Sequence, residues 1–169
     1  MEQLTVTSLT SDATGLATLT RQDGLQHGLQ HGLQRKVEIP FTLPGEVVDV
    51  EIGRARRRRL FAMPQAIVKA SPLRRVARCR HFGSCGGCKL QHLPYGEQLQ
   101  WKEAKVRALF LGETNFHPII ASQSEWNYRN KMELSFSETA KGEKFLGLIM
   151  TNTRGHVFNL QECHLVDGW

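Results

Sequence analysis

Over the first seventy residues, apolar and polar positions alternate in short runs, the period expected of strands that bury one face. Leu4-Thr5-Val6-Thr7-Ser8-Leu9 alternates roughly and is β-branched. Ser11 to Gly15 reads as a turn, and Leu16-Ala17-Thr18-Leu19-Thr20 alternates again. Val37 to Phe41 is a third strand candidate, Glu46 to Ile52 a fourth and Phe61 to Ala70 a fifth. Leu43-Pro44-Gly45-Glu46 is a turn, with Pro presetting φ and Gly free to take positive φ. Five short strands at this spacing predict a small barrel of OB type, since closure removes exposed edges.

The pattern changes after Ser71-Pro72, which sets the expected boundary between a barrel over 1–72 and a second domain over 73–169. A helix is expected over about Pro94 to Leu111. There Tyr95, Leu99, Val106 and Phe110 form one apolar stripe, read as core packing, and Gly112 suits the stop. Lys131 to Ser137, Phe145 to Met150 and His156 to Leu160 read as antiparallel strands, with turns at Lys141-Gly142-Glu143 and Thr153-Arg154-Gly155. The expected fold class is mostly β with α: a five-stranded OB-like barrel, then a partial α+β domain with an antiparallel sheet. A large apolar residue, Trp169, at the last position suggests that the sequence stops inside that domain.

One segment stands apart. Gly24-Leu25-Gln26-His27, Gly28-Leu29-Gln30-His31 and Gly32-Leu33-Gln34 repeat with a period of four. On a helix His27 and His31 would share a face, but Gly at every fourth position opposes a helix by about 1 kcal/mol each relative to Ala. No acidic partner lies at ligand spacing, so an expanded hairpin loop is the reading.

Charge sharpens the picture. The net charge is +6, and it is concentrated. From Arg54 to Gly96 there are eleven basic residues and no Asp or Glu. Arg56, Arg57, Arg58 and Arg59 form the densest run, and Lys69 follows. Without carboxylates in the same span these cations cannot neutralise one another locally, and phosphates would relieve their field. A solvated basic turn is the plain alternative for the four arginines. No apolar run approaches the length of a membrane span, and no amphipathic apolar face accompanies the basic span, which argues against a membrane partner. The N-terminus lacks a basic region followed by an apolar run, so a reducing cytoplasm is the expected compartment.

The four cysteines supply the candidate chemistry. Cys79, Cys85 and Cys88 give C-x5-C-x2-C, with Cys163 far downstream. In a reducing compartment a compact trio points to a metal site before a disulfide framework. Gly83, Gly86 and Gly87 let the backbone wrap tightly and aim N–H groups at sulfur, as iron–sulfur clusters require. Arg78, Arg80 and Lys89 would favour thiolates. Structural zinc is the rival, with His81 and His164 as further candidate ligands, although zinc sites usually show two close pairs. A Cys85–Cys88 dithiol pair is a third reading, without the βαβ pattern it would need.

Cys79-Arg80-His81-Phe82-Gly83-Ser84-Cys85-Gly86-Gly87-Cys88, then Gln91-His92-Leu93, Tyr95, Gln98-Leu99, Trp126-Asn127-Tyr128-Arg129-Asn130-Lys131 and Cys163 resemble the iron–sulfur RNA (uracil-5-)-methyltransferases, which include enzymes acting on 23S ribosomal RNA. The first seventy residues, with Leu43-Pro44-Gly45-Glu46, resemble that family's TRAM domain, an OB-like RNA-binding barrel. The resemblance implies a 4Fe–4S cluster held by Cys79, Cys85, Cys88 and Cys163. It implies that Tyr128, Arg129 and Lys131 face RNA, alongside Arg56 to Arg59 and Lys69 on the barrel. Ribosomal RNA is the implied partner. The repeat lies where relatives carry a short hairpin. The family's S-adenosylmethionine site lies on a Rossmann-like domain with a Gly-rich loop, and its nucleophile sits in a Ser-Cys-Asn setting. Neither motif occurs in these residues, so the catalytic domain and any catalytic residue are expected to be absent. A separately encoded methyltransferase domain would then be a second partner.

Three functions remain in view: the RNA-recognition and cluster portion of such an enzyme, a stand-alone RNA-binding protein with a structural cluster or zinc, and an electron carrier. The basic span gives no reason for the last.

Overall fold

In the computed structural model the described residues are 1–21, 33–56, 59–110, 112, 115–151 and 153–167. The chain divides into two compact units, Met1–Arg74 and Arg75–Trp169.

The first unit is a closed five-stranded barrel. Its strands are β1 (Glu2–Leu9), β2 (Gly15–Arg21), β3 (Leu33–Ile39), β4 (Val47–Arg56) and β5 (Arg59–Lys69), in the order β1-β2-β3-β5-β4 with β4 returning to β1. Alternation puts Leu4, Val6, Ala17, Leu19, Val37, Ile39, Val48, Val50, Leu60 and Ala62 inside, where they form one core. All neighbouring strands pair antiparallel except β3 and β5, which close the barrel in parallel through Val37↔Leu60 and Glu38↔Phe61. The third strand starts earlier than its β-branched stretch suggests and ends at Ile39, because Pro40 and Phe41 enter the turn. Leu33 pairs with Arg21, so β2 and β3 form a hairpin. Residues 22–32, with His27, His31 and most of the repeat, lie outside the described residues.

A buried carboxylate fastens the turn before β4. Glu46 is fully buried. Its Oε2 accepts the Leu43 N–H at 2.8 Å and its Oε1 the Ser71 N–H at 3.2 Å. Arg74 closes the fork with Nε and Nη2 at 2.5 and 2.8 Å, and its Nη2 also reaches the Phe41 carbonyl at 2.8 Å. Gly45 turns with φ +84° and donates to the Val6 carbonyl, so the turn is stitched to β1. Burial pushes the Glu46 carboxyl up. The hydrogen bonds from Arg74, Leu43 and Ser71 outweigh that and hold it below the ordinary carboxylate range.

The second unit begins with a cysteine-rich loop, followed by helix α1 (Tyr95–Arg107) and a three-stranded antiparallel sheet of β6 (Ser135–Glu138), β7 (Lys144–Ile149) and β8 (Val157–Asn159), in that order. Lys131 to Leu134, expected to begin the first of these strands, do not join it. The helix corrects a second expectation. None of its residues is buried, and Val106 and Phe110 at the end of the apolar stripe are half exposed. The buried apolar side chains of this unit come instead from Leu90, Leu93, Leu160 and Leu165. The spacing found the helix and its apolar face, but spacing alone cannot say whether anything covers that face. No helix among the described residues is long and apolar enough to cross a membrane.

Candidate metal centre and nucleic-acid surface

The loop from Cys79 to Cys88 folds by short local bonds. The N–H groups of Phe82, Ser84 and Cys85 return to the carbonyls of Cys79 and His81, which winds the chain so that its cysteines face one way. An isolated bridge pairs Cys85 with Met150, and the Thr151 N–H donates to the Ser84 carbonyl at 2.8 Å, fixing the loop to the end of β7. On the other side Arg80 and His81 engage the residues just before Cys163. The Arg80 N–H donates to Glu162 at 2.9 Å, Arg80 Nη1 to Gln161 at 2.9 Å, and the Gln161 N–H to His81 Nε2 at 3.2 Å.

These ties bring Cys79, Cys85, Cys88 and Cys163 to one pocket, which is also lined by Gln91, Arg129 and Leu148. All four are free thiols, each half-buried. Burial pushes the Cys88 thiol up, and the negative charges of Cys85, Cys79 and Cys163 push it further; only a hydrogen bond from Gln91 opposes them. Cys79 is raised by burial first, then by Glu162, Cys85 and Cys163, against the His81 N–H. The charges of the neighbouring sulfurs help to raise both Cys79 and Cys88, and a cation in the pocket would relieve that repulsion.

The backbone and one buried amide already aim donors at sulfur. The His81 N–H lies 3.4 Å from Cys79 Sγ and the Gly87 N–H 3.3 Å from Cys85 Sγ. A Cβ at Gly87 would itself stand 3.3 Å from that sulfur, so the glycine keeps the approach open. Gln91 accepts from the Cys79 N–H at 3.1 Å while serving Cys88. Among the described residues, no group of three or more His, Cys, Asp or Glu side chains is placed to hold a single metal ion. A four-iron cluster spaces its thiolates more widely than one ion does. His81 is poorly placed as a zinc ligand, because its Nε2 is taken by the Gln161 N–H and its ring lies 4.9 Å from that of Phe158.

The basic residues fall in both units. Arg57 and Arg58, and the side chain of Arg56, lie outside the described residues. Arg59 is described: its guanidinium is largely exposed yet pairs with the buried Glu38 at 2.5 Å. Lys69 ends β5 on the surface. In the second unit Tyr128 is 57% exposed. Lys131 is exposed beside Glu133 at 2.8 Å, and Arg129 lines the thiol pocket as well as meeting solvent. One expectation needs correcting. The cations of the acid-free span are partly neutralised, by carboxylates distant in sequence: Arg59 by Glu38, Arg74 by Glu46 and Arg75 by Glu125. A local count of charge cannot see such partners.

Sequence reasoning named Asn127 within the Trp126–Lys131 motif but gave it no role. It has φ +55°, and its N–H donates to the His164 carbonyl at 3.0 Å. With its amide nitrogen turned toward the chain after Cys163, it also donates to the His164 and Val166 carbonyls at 3.2 and 3.3 Å. Its residue type was the signal for the backbone, since Asn tolerates the left-handed region.

Residues 8–73 match the family described as the TRAM domain of tRNA (uracil(54)-C(5))-methyltransferase, and the barrel is a TRAM domain. Over 137 residues the chain is 45% identical to an uncharacterized RNA methyltransferase of Protochlamydia amoebophila, covering 79% of this chain and 31% of that protein. Over 107 residues it is 36% identical to the tRNA (uracil(54)-C(5))-methyltransferase of Pyrococcus furiosus, covering 63% of this chain and 25% of that one. The TRAM domain and these relatives together support a place in the RNA uracil methyltransferase family. The crystal structure of Pyrococcus abyssi tRNA (uracil-54, C5)-methyltransferase in complex with S-adenosyl-L-homocysteine shares the fold with a TM-score of 0.57 at 24% identity, over 96% of this chain and 32% of that chain. The chain spans about a third of the length of the curated relatives it matches.

Proposed function

We propose that this chain is the RNA-binding and 4Fe–4S-binding portion of an S-adenosylmethionine-dependent RNA (uracil-5-)-methyltransferase. The observation that carries the reading is the meeting of Cys79, Cys85, Cys88 and Cys163 in one pocket, with backbone N–H donors on the sulfurs of Cys79 and Cys85. A cluster there supplies structure: it replaces mutual repulsion among thiolates with four bonds and ties the Cys79–Cys88 loop to Cys163. The protein's own part is to shield the sulfurs, through Gln91 and the apolar Leu148 and Leu160, and to hold RNA.

The basic residues of the barrel grip phosphates, while exposed aromatic and polar side chains hold unpaired bases. Ribosomal RNA of the 23S type is our reading of the substrate. Transfer RNA is the second, favoured by the tRNA (uracil(54)-C(5))-methyltransferases among the TRAM family and the Pyrococcus relatives. Methyl transfer belongs to the two thirds of the relatives' length that this chain does not span. All four of its cysteines are drawn into the pocket, so none is left as a nucleophile.

Two measurements test the proposal. Anaerobic reconstitution with iron and sulfide, followed by metal analysis and visible absorption, gives four irons per chain if the reading is right; one tightly held zinc and no iron uptake would overturn the cluster. Titration with single-stranded RNA at rising salt gives a slope of log affinity against log salt near −3.5 for about five phosphate contacts. A slope near zero would overturn the RNA reading.

A further inference from the structure

Every large apolar side chain exposed on the described barrel strands lies on one strand. Phe61, Met63 and Val68 are 39%, 49% and 53% exposed, and all belong to β5. Leu60 and Ala62 fill the core, so the alternation that buries them turns Arg59, Phe61, Met63 and Gln65 to the outer face. Core formation does not require apolar residues there: the outward residues of β1 and β2 are mostly Gln and Thr, such as Gln3, Thr5, Thr18 and Thr20.

The surroundings of Phe61 are open on one side and charged on the other. On β4 the nearest residue is Gly53, where an added Cβ would stand 3.0 Å from the Phe61 carbonyl oxygen. No side chain from that position covers the ring. On β3 the register partner is Glu38, and the guanidinium that it holds, from Arg59 two residues before Phe61 on the same strand, stays 60% exposed. In the sequence Phe61 follows the last arginine of the Arg56–Arg59 run by two residues. Phe61 and Met63 are spaced by about 6.7 Å, two residues of strand rise. A flat ring, a soft thioether and a fixed, exposed guanidinium in one line suit the faces of unpaired bases with a phosphate alongside. They suit neither a duplex, whose bases are stacked inside, nor a lipid surface, which calls for a broad apolar face.

We propose that the outer face of β5 is a stacking track for two successive unpaired bases of single-stranded RNA, with Phe61 as the principal platform, Met63 as the second and Arg59 as the phosphate contact. This rests on the RNA-binding reading above and names the surface that would carry it.

The test uses the whole chain and a 12-nucleotide fluorescein-labelled single-stranded RNA of mixed sequence, followed by anisotropy at several salt concentrations. Phe61→Ala weakens binding by about 5- to 100-fold and leaves the salt slope unchanged, because stacking releases no counterions. Phe61→Trp retains wild-type affinity, while Phe61→Leu, apolar but without a ring face, behaves like the alanine variant. Arg59→Gln flattens the salt slope by about 0.7, one phosphate contact. Circular dichroism melting, unchanged in the Phe61 variants, keeps the result apart from misfolding. If the wild-type chain binds the RNA and Phe61→Ala binds within twofold of it, the track is wrong and the broader reading stands. If Phe61→Leu binds as well as wild type, stacking is wrong. If the wild type shows no salt-dependent binding, both readings fall together. A dimer seen by light scattering that Phe61→Ala abolishes, with RNA affinity unaltered, would give the face to a second copy of the chain and overturn the proposal.

Discussion

Asn127 holds the carbonyl of His164 twice, with its main-chain N–H at 3.0 Å and its side-chain amide at 3.2 Å. His164 follows Cys163 directly. The grip therefore fixes the chain on the far side of the cysteine, just as Arg80 and His81 fix it on the near side. The same residue takes φ +55°, and its neighbour Tyr128 is exposed.

Replacing Asn127 separates these two contributions. Asn127→Gly keeps the left-handed backbone and loses the amide bonds, at a cost of about 1 kcal/mol. Asn127→Ala loses the same bonds and keeps a Cβ in the left-handed region without the polar side chain that lets Asn tolerate it, for a total of about 2 kcal/mol. Urea denaturation of the two variants checks the order; alanine as mild as glycine would show that the backbone angle carries no strain.

Glu46 makes the barrel sensitive to acid. Its carboxyl is held below its ordinary range in the folded state, so the stability it contributes is complete above that range. That stability is lost as pH falls through the ordinary value and on through the lower folded one. Glu46→Gln removes the charge that Arg74 answers and costs about 3 kcal/mol at neutral pH. Melting curves from pH 7 to pH 3 should show the wild type losing its advantage over Glu46→Gln as acid is added. A constant gap across that range would place the stabilisation elsewhere.

The thiols of Cys79 and Cys88 are raised, so at a given pH fewer of them are thiolates than in a free cysteine. In the metal-free chain they should react slowly with a disulfide reagent at pH 8 and gain rate steeply above it. Single-cysteine variants retaining only Cys79 or only Cys88 read this directly. Each leaves out the charges of the other three sulfurs, so its reactivity should rise relative to the same residue in the full set. Metal affinity should climb with pH for the same reason.

Cys163→Ser leaves the Cys79–Cys88 loop without its distant sulfur. Iron retention should fall severely, and limited proteolysis should cut within the unit Arg75–Trp169 while the barrel stays intact. An unchanged cleavage pattern in the iron-loaded variant would mean that three sulfurs suffice.

The elements that owe their form to a local period were legible in the chain. Alternation found the five barrel strands because one face of each is buried in a single core, and the short turns at Gly45 and Gly142 carry their own glycine signal. The start of β3 was hidden by the repeat running into it at Leu33 and Gln34. The helix was legible in extent but not in burial, because Val106 and Phe110 have the right spacing whether or not anything packs on them. In the candidate centre the ligand types could be read from the chain. The hydrogen bonds that gather them could not: Gln91 between Cys79 and Cys88, Arg80 on Glu162 and Asn127 on His164 each join residues whose relation exists only after folding. Glu38 and Glu46 were silent for the same reason, since each answers an arginine more than twenty positions away.

The parallel contact between β3 and β5 has two register pairs, against seven between β2 and β3. Among the described residues it is the barrel's shortest seam, and the Arg59–Glu38 ion pair straddles it. Breathing of the cylinder should therefore begin along this line, with the amides of Leu60 and Phe61 the first of the inner strands to exchange with solvent. A polymer lying across Phe61 and drawing on Arg59 would act on the very hinge of that opening, so occupancy of the surface and closure of the barrel would rise and fall together.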